Sequence, residues 1–459
     1  MSSARHSIWN GIRRVAASDR ISGLIMLGFA LAGLLLANIP ATAHFFMELE
    51  HFHIGIPGTN IDMGLGHWAQ DGLLTIFFLV VGLELRQEIT TGSLANPKAA
   101  AVPMLCAVGG MLVPPVLFLA VIWLFSNFGS GDPGSLMLAT GQVFPFGETV
   151  HGWAIPTATD IAFSLTVLAL FAKALPGSIR AFLMTLATVD DLLAIILIAV
   201  FFSSLNSWYW FVGIAICAVA WYFLVRMKKV PWFGIAVIGI LAWVMMYEAG
   251  VHPTLAGVLV GLLTPAHAMH GERSPRAERY AEKLQPFSAL LALPIFALFA
   301  TGVHFDSLTP LLLVSPIVIA LIVALVVGKP LGIMLVAWLS THVGSLSMPK
   351  GLRVRDMLPA SVACGIGFTV SFLIASLAYK NAELSAEARF GVLLASLIAA
   401  AIAGILLSRQ SKRFAAMHPK LEETLEELEE TPSDETQSVL QDGTVVVSQT
   451  MNRKREAHK

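Results

Sequence analysis

Long apolar segments are the feature that most restricts how this chain can fold. A helix that crosses a bilayer needs about 20 predominantly apolar residues, and the 459-residue sequence is 56% hydrophobic and only 13% charged. Because a helix satisfies its own backbone hydrogen bonds in lipid, the sequence predicts an all-α polytopic membrane protein. Twelve segments are apolar enough to be transmembrane helices: 21–37, 72–89, 99–125, 154–173, 179–202, 208–225, 231–247, 251–265, 286–304, 310–339, 357–379 and 387–408.

Basic residues predict how these segments are oriented, since Lys and Arg concentrate in cytoplasmic loops. Arg13, Arg14 and Arg20 precede the first segment, and alternate connections carry further basic residues. The intervening loops contain none: 38–70, 126–153, 203–207, 248–250 and 305–309. Only Lys380 and Arg389, in the last outer connection, depart from this pattern. Both termini are therefore predicted to be cytoplasmic.

The chain is predicted to have three parts. Residues 1–20 form a cytoplasmic N-terminal segment, residues 21–408 the twelve-helix domain, and residues 409–459 an acidic and polar cytoplasmic tail. A cleaved signal peptide is the competing interpretation of the first apolar segment, because "ATA" at 41–43 resembles a cleavage site. That segment is long for a signal peptide, and its removal would disturb the alternation of basic loops, so a transmembrane helix is favoured.

A small set of ionisable residues remains at membrane depth after the loops are removed. A charge at the bilayer centre costs at least about 2.5–3.5 kcal/mol, so several unpaired charges would threaten insertion. These side chains must therefore face each other or water. The set comprises Asp71, Glu84, Asp160, Asp190, Asp191 and one base, Lys329.

Asp190 and Asp191 are adjacent in "ATVDDLLAI", in the middle of an apolar helix. Neighbouring residues on a helix point about 100° apart, so one aspartate can meet a partner such as Lys329 while the other faces a cavity. Carboxylates in such surroundings can take up and release protons near physiological pH. Their hard oxygens also suit a small alkali cation. Protons and a cation are thus predicted to compete for one site.

Two predicted spans contain helix breaks. Pro156 lies four residues before Asp160 in the fourth segment, and Gly365 and Gly367 interrupt the eleventh. In transporters, such interruptions at corresponding positions of two repeats mark the ion site. Opposed half-helix ends leave partial charges of both signs. We expect Asp160 to compensate the positive ends and Lys329 the negative ends.

With these residues considered together, the chain resembles the NhaA-type sodium/proton antiporters of bacterial inner membranes. The resemblance extends over about residues 20–408. It rests on an ordered set of stretches: "HWAQDGLLTIFFLVVGLELRQE" (67–88), "GWAIPTATDIAFSL" (152–165), "ATVDDLLAI" (187–195), "GVHPTLAGVLVGLLTP" (250–265), "HGERSP" (270–275), "VGKPLG" (327–332) and "CGIGFTVSFLIASLA" (364–378).

The resemblance implies twelve helices with inverted-topology repeats and two broken helices that cross. It further implies that Asp191 is the principal ligand of Na+ or Li+, and that Asp190 lies beside it, paired with Lys329 in one state. Thr159 and Asp160 would lie at the crossing. The implied activity is electrogenic exchange, with more protons entering than sodium ions leaving, activated at alkaline pH.

The resemblance also implies regulation and assembly. A cytoplasmic funnel and pH-sensing surface would include Glu84, Arg86, Glu88, His252 and Glu272. A homodimer would form through an outer hairpin, for which the turn signals at 51–63 are suited. Apart from the transported ions, we expect no cofactor, no enzymatic activity and no nucleic-acid partner. The lipid bilayer of the inner membrane is the expected environment.

Several positions depart from the family pattern. Gln87 follows Arg86 where a second basic residue is common, Glu272 is inside what is usually "HGRSP", and Leu193 replaces a common glycine. The outer loop 126–153 and the acidic tail are also longer than usual. These departures concern the pH profile and regulation more than the exchange chemistry.

Other functions would also use intramembrane acids. An aspartyl protease in the membrane would need two carboxylates on separate helices, and none of the predicted spans contains its G-x-G-D signature. A passive cation channel is disfavoured by a lysine beside the acids. A proton-coupled transporter of another solute is the main alternative, and a cation-dependent proton flux without an organic substrate would distinguish it.

Overall fold

The protein is described by a computed structural model that covers residues 15–16, 18–55, 61–129, 133–172, 175, 177–204, 206–303, 310–342 and 353–417, without the side chains of Asp19, Lys98, Ala99, Pro310 and Met417. Most of these residues are helical. The helices are α1 (Asp19–Asn38), α2 (Pro40–Glu50), α3 (Leu65–Thr90), α4 (Pro97–Phe128), α5 (Phe146–Thr157), α6 (Ile161–Phe171), α7 (Gly177–Phe201), α8 (Tyr209–Leu224), α9 (Trp232–Ala249), α10 (Leu255–Leu263), α11 (Arg276–Ala300), α12 (Pro316–His342), α13 (Val354–Ala363), α14 (Phe368–Ala378) and α15 (Ala382–Met417).

The prediction of a polytopic membrane protein is confirmed. Within the described ranges, 8 helices are long and apolar enough to cross a membrane, or up to 10 if each of two bent helix pairs counts as one span. Two shorter helices, α8 and α10, lie where the sixth and eighth segments are predicted. The α10 helix is short because Pro253 precedes it and Pro265 follows it, and proline interrupts the helical hydrogen-bond ladder.

Both helix breaks expected from the sequence are present. The α5 and α6 helices meet at a bend of 49°, and α13 and α14 meet at a bend of 58°. Pro156 lies in the last turn of α5, which is a 3₁₀ helix from Val150 to Thr157, and Gly365 and Gly367 lie between α13 and α14. The first broken pair begins at Phe146, eight residues before the predicted segment, because polar residues of the outer loop are part of its first half.

Glycines allow the closest helix contacts. A Cβ atom on Gly82 of α3 would lie 2.8 Å from the carbonyl oxygen of Val258 in α10, and one on Gly261 would lie 2.7 Å from the backbone of Gly82. Gly109 of α4 and Gly332 of α12 approach each other in the same way. Membrane helices pack closely through small residues, because the hydrophobic effect does not drive helices together within lipid. These glycine pairs therefore fix α3 against α10 and α4 against α12.

Two antiparallel hairpins lie in loops predicted to be external. Strands β1 (His53–Gly55) and β2 (Asp62–Gly64) pair with each other, which confirms the hairpin predicted at 51–63. Strands β3 (Ser135–Met137) and β4 (Val143–Pro145) form a second hairpin that the sequence analysis did not predict. At the other end of the chain, α15 continues to Met417, past the predicted boundary at residue 408.

Candidate ion-binding site

Asp160 joins the two broken helices at their crossing. It is the N-cap of α6, where its Oδ1 atom accepts a hydrogen bond of 2.9 Å from the Phe163 amide. Its Oδ2 atom accepts bonds from the Thr369 amide (3.1 Å) and the Thr369 hydroxyl (2.7 Å) at the start of α14. The N-termini of two half-helices therefore point at one buried carboxylate, which complements their partial positive charge.

Hydroxyl groups satisfy the opposite half-helix end. The carbonyl oxygens of Ala363 and Cys364, at the end of α13, accept hydrogen bonds from the hydroxyls of Ser164 (2.8 Å) and Thr159 (2.9 Å). The Asp160 amide donates to the Ile366 carbonyl at 2.7 Å, inside the same break. The two breaks thus satisfy each other's exposed backbone groups, which a buried site requires.

Lys329 lies between the other half-helix end and the aspartate pair. Its ammonium group donates to Asp190 Oδ2 at 2.8 Å, and the two side chains are 0% and 1% exposed. It also donates to the Thr157 carbonyl at the C-terminal end of α5. A buried ammonium needs such partners, and here it compensates both a carboxylate and a helix C-terminus.

Asp191 is buried beside this pair but does not share its partner. Its Oδ1 atom is buried and has no hydrogen-bond partner, and the same is true of Asp190 Oδ1. Asp190, Asp160, Lys329 and Glu84 are close enough to act on Asp191 electrostatically. Two buried carboxylate oxygens without donors leave lone pairs that a proton or a hard cation can use.

Helix α7 presents both aspartates to the interior because it is buried along most of its length. Its inward residues include Leu186, Val189, Ala194 and Ile198. Asp190 and Asp191 extend this face by two neighbouring positions. Leu193, where the family often has glycine, is partly buried against the same core.

The predicted funnel residues at the C-terminal end of α3 lie together. Glu84 is exposed, and the Arg86 Nε atom is buried without a hydrogen-bond partner. Glu88 accepts bonds from the Ser93 amide (2.8 Å) and hydroxyl (2.7 Å), and Ser93 accepts one from Thr185 on α7 (3.0 Å). This chain of bonds connects the end of α3 to the helix that carries the aspartate pair.

Glu272 lies in a separate ion-pair cluster before α11. Its carboxylate contacts Arg276 at 2.7 Å and Arg279 at 2.6 Å. The hydrogen bonds from Arg276, together with the charges of both guanidinium groups, lower the pKa of Glu272 from its ordinary value. Arg276 is fully buried and also donates to the Met227 carbonyl beyond the end of α8, so Glu272 helps to hold the α8 and α11 ends together.

His252 lies apart from Glu84, Arg86 and Glu88, with which the resemblance groups it. It lies beside Asp71, with 3.4 Å between His252 Nε2 and Asp71 Oδ1, and it contacts Thr254 at 2.7 Å. Asp71 and Glu84 are thirteen residues apart on α3, or about 20 Å at 1.5 Å per residue. The structure therefore places His252 at the opposite end of α3, because α10 begins beside the start of that helix.

Several polar residues at the crossing were not singled out from the sequence. Thr369, Ser164 and Ser371 all bond across the broken helices, and the Ser371 hydroxyl donates to the Ile155 carbonyl at 2.8 Å. Their signal was present as Ser and Thr inside otherwise apolar half-helices, where such side chains usually bond to a neighbouring backbone. The sequence does not show which backbone they meet.

A bundle of apolar helices with buried ionisable groups at the crossing of two broken helices has the architecture of a secondary transporter. Comparison with known proteins agrees with this class. Residues 13–132 and 133–407 match the family described as Na+/H+ antiporter 1. The chain belongs to this family, which is a family of membrane transporters.

Relatives cover nearly the whole chain. It is 74% identical over 460 residues to the Na(+)/H(+) antiporter NhaA of Bifidobacterium adolescentis, an alignment that covers 99% of this chain and 100% of that protein. It is 79% identical over 412 residues to the NhaA of Bifidobacterium breve, with 90% and 89% of the two chains covered. It is 38% identical over 402 residues to NhaA 3 of Streptomyces coelicolor, with 87% and 80% covered.

Proposed function

We propose that this protein exchanges intracellular Na+ or Li+ for external H+ at the Asp190–Asp191 pair. The observation that carries the proposal is the unequal surroundings of the two aspartates. Each aspartate keeps one buried oxygen without a donor, but among the described residues only Asp190 is paired with Lys329. Family membership and the relatives' names support Na+ and H+ as the exchanged ions.

Competition follows from the chemistry of a buried carboxylate. Burial of a lone negative charge is costly, so Asp191 holds a proton when no cation is present. A cation supplies the compensating charge instead, and the proton leaves. The two ions therefore exclude each other from the site, which is the condition for exchange rather than cotransport.

Lys329 gives this exchange its electrogenic character in the proposal. When Asp190 joins Asp191 in binding the cation, the ammonium group of Lys329 loses its carboxylate partner in a site that is 0% exposed. An uncompensated buried ammonium is strongly unfavourable, so it releases a second proton. Two protons would then be exchanged for one monovalent cation, which moves net charge across the membrane.

Alternating access is proposed to arise at the broken helices. Twelve spans, arranged as inverted repeats, would place α5–α6 and α13–α14 at equivalent positions in two triples. Half-helices that are joined through Asp160, Thr159 and Thr369 can tilt as a unit relative to the remaining helices. Such a movement would expose Asp191 to one side at a time.

The proposed surroundings follow the charge pattern of the loops. Both termini face the cytoplasm of a bacterial inner membrane, the funnel opens beside Glu84, and regulation by pH involves Glu84, Arg86, Glu88 and Glu272. The β1–β2 hairpin is the proposed homodimer contact.

The function is tested in everted membrane vesicles with an imposed proton gradient. Na+, Li+ or K+ is added at several pH values, and collapse of the gradient is followed for wild type and Asp191→Asn. We expect collapse with Na+ or Li+ in wild type and none in the variant. Glu282→Gln, the corresponding carboxylate-to-amide change at an exposed site, is the matched control and should behave as wild type.

Two results would contradict the proposal. Collapse at the wild-type rate in Asp191→Asn would exclude this residue as the exchange site. No response of wild type to any cation would favour proton-coupled transport of another solute, which the same vesicles would detect as a solute-dependent proton flux.

A further inference from the structure

A buried carboxylate on α15 has no role in the exchange described above. Glu387 is 2% exposed. Its Oε1 atom accepts a hydrogen bond of 2.9 Å from the Ala139 amide in the β3–β4 hairpin, and its Oε2 atom accepts one from the hydroxyl of Ser315, the residue before α12. One side chain thus connects the hairpin, α12 and α15.

Glu383 makes a second connection one turn earlier on α15. It accepts hydrogen bonds from the Gln142 side-chain amide at 2.7 Å and from the Thr140 hydroxyl at 3.2 Å. Residues four apart lie on the same helix face, so Glu383 and Glu387 together bind the segment that joins the two strands. Apolar contacts add to this, because Leu136, Leu138 and Phe144 are buried.

The hairpin continues directly into the first broken helix. Strand β4 ends at Pro145 and α5 begins at Phe146. The eight 3₁₀ residues Val150–Thr157, at about 2 Å each, extend about 16 Å. The last of them, Thr157, accepts the hydrogen bond from Lys329. Displacement of the hairpin would therefore be transmitted to the ion-binding site through one short helix.

Ser371 in α14 and Tyr379, the residue after α14, bond to the backbone of α5. The Tyr379 hydroxyl donates to the Thr149 carbonyl at 2.6 Å, and the Ser371 hydroxyl donates to the Ile155 carbonyl at 2.8 Å. Thr149 is fully buried and Tyr379 is 4% exposed. The contacts beside the hairpin are therefore buried, whereas Glu84 is exposed.

The hairpin also has room to move. A cavity of about 350 Å³ lies between it, the end of α4 and the start of α12, with Ser126, Leu138 and Ser315 among the lining residues. Ser126 Oγ is buried there without a hydrogen-bond partner. Because this cavity leaves part of the hairpin unpacked, the bonds to Glu383 and Glu387 contribute directly to its attachment.

We propose that residues 135–145 form an external latch, closed by Glu383 and Glu387, which must detach before α5 tilts and the ion site opens outward. Glu387 is a positioning residue in this proposal, because it acts on the site only through the hairpin and α5. The latch rests on the proposed exchange function and on the external orientation of this loop.

Cross-linking tests whether the latch must open. The double variant Thr140→Cys with Glu383→Cys is suited to this test, because the two native side-chain oxygens are 3.2 Å apart. The two cysteines are bridged in detergent with a short bifunctional thiosulfonate, and the protein is then reconstituted into vesicles. The described native cysteines are all buried, and wild type treated with the same reagent is the control. We expect the cross-link to lower Na+/H+ exchange at least tenfold, and reduction of the cross-link to restore it. In detergent, the cross-linked protein should still release protons when Na+ is added.

Exchange at the uncross-linked rate with a complete cross-link would overturn the latch and leave the exchange function intact. If neither wild type nor the reduced variant exchanges Na+ for H+, the proposed function is wrong and the latch falls with it. Loss of exchange that reduction does not restore would indicate damage by the substitutions and would also count against the latch.

A kinetic measurement provides independent evidence. Glu387→Gln weakens the bond to the Ala139 amide and should populate the outward-open state. The fraction of the protein that can bind Na+ from the cytoplasm then falls. The apparent KM for internal Na+ therefore rises by about threefold or more, with a smaller change in kcat. Glu148→Gln, an exposed carboxylate on the same face, should leave KM unchanged. An unchanged KM in Glu387→Gln would contradict the latch.

Discussion

Substitution of Lys329 by Ala gives the sharpest stability prediction, because this side chain satisfies two buried groups at once. Its ammonium group bonds to Asp190 Oδ2 at 2.8 Å and to the Thr157 carbonyl. Exposed ion pairs are worth about 0–1 kcal/mol, but the two side chains here are 0% and 1% exposed. The relevant comparison is therefore a buried pair, where removal of one partner costs about 3–5 kcal/mol.

The expected shift in unfolding temperature follows from chain length. The chain has 459 residues, and an unfolding entropy of about 2.1 cal/mol/K per residue gives about 1 kcal/mol/K in total. A loss of about 3–5 kcal/mol then lowers the unfolding temperature by about 3–5 °C. The double variant Lys329→Met with Asp190→Asn removes both charges together, and it should recover most of this loss.

Thermal unfolding of purified protein in one detergent, followed by intrinsic tryptophan fluorescence, measures these shifts. Lys329→Met, Asp190→Asn and the double variant complete a double-mutant cycle with wild type. A shift below about 1 °C for Lys329→Ala, or a double variant as unstable as Lys329→Ala, would refute the claim that the pair is mutually compensating.

Three further predictions concern the crossing of the broken helices, the packing of α10 on α3, and the ion-pair cluster around Glu272. Asp160→Ala removes three hydrogen bonds and should lower stability by at least about 2 kcal/mol and abolish exchange, with a smaller stability loss in Asp160→Asn. Gly261→Leu should destabilise the protein by about 1–3 kcal/mol in the same assay, whereas Gly28→Leu, where the space is open, should not. Arginine partners lower the pKa of Glu272, so its contribution of about 1 kcal/mol is present at neutral pH and is lost as pH falls through the lowered pKa. The stability difference between wild type and Glu272→Gln should therefore disappear at pH values below the pKa of Glu272. A stability difference that stayed the same at such pH values would contradict the ion-pair role of Glu272.

Much of the fold was predictable because lipid imposes a simple rule on the sequence. Each apolar segment had to be a helix, and helix-breaking residues such as Pro156, Gly365 and Gly367 marked both bends. Lys329 and Asp190 could be expected to meet because few other ionisable groups lay at the same depth. The exact helix count remains a prediction, since α10 extends for only nine residues.

The less predictable features depend on contacts between distant parts of the chain. Thr369 is 209 residues from Asp160, and nothing local indicates that its hydroxyl and amide meet that carboxylate. His252 was grouped with Glu84 by resemblance, but the packing of α10 beside the start of α3 separates them. The β3–β4 hairpin was missed because strands of three residues give no clear alternating pattern. The β1 and β2 strands are equally short, and their hairpin was predicted from its turn residues instead.

Direct measurement of proton release tests the central claim that H+ and a cation compete at Asp191. Purified protein in weakly buffered detergent solution is mixed with NaCl or LiCl, and the change in pH is recorded, with choline chloride as the salt control. We expect release of protons from wild type and from Glu282→Gln, and no release from Asp191→Asn. Equal release from Asp191→Asn, or sodium binding by wild type without any proton release, would contradict it.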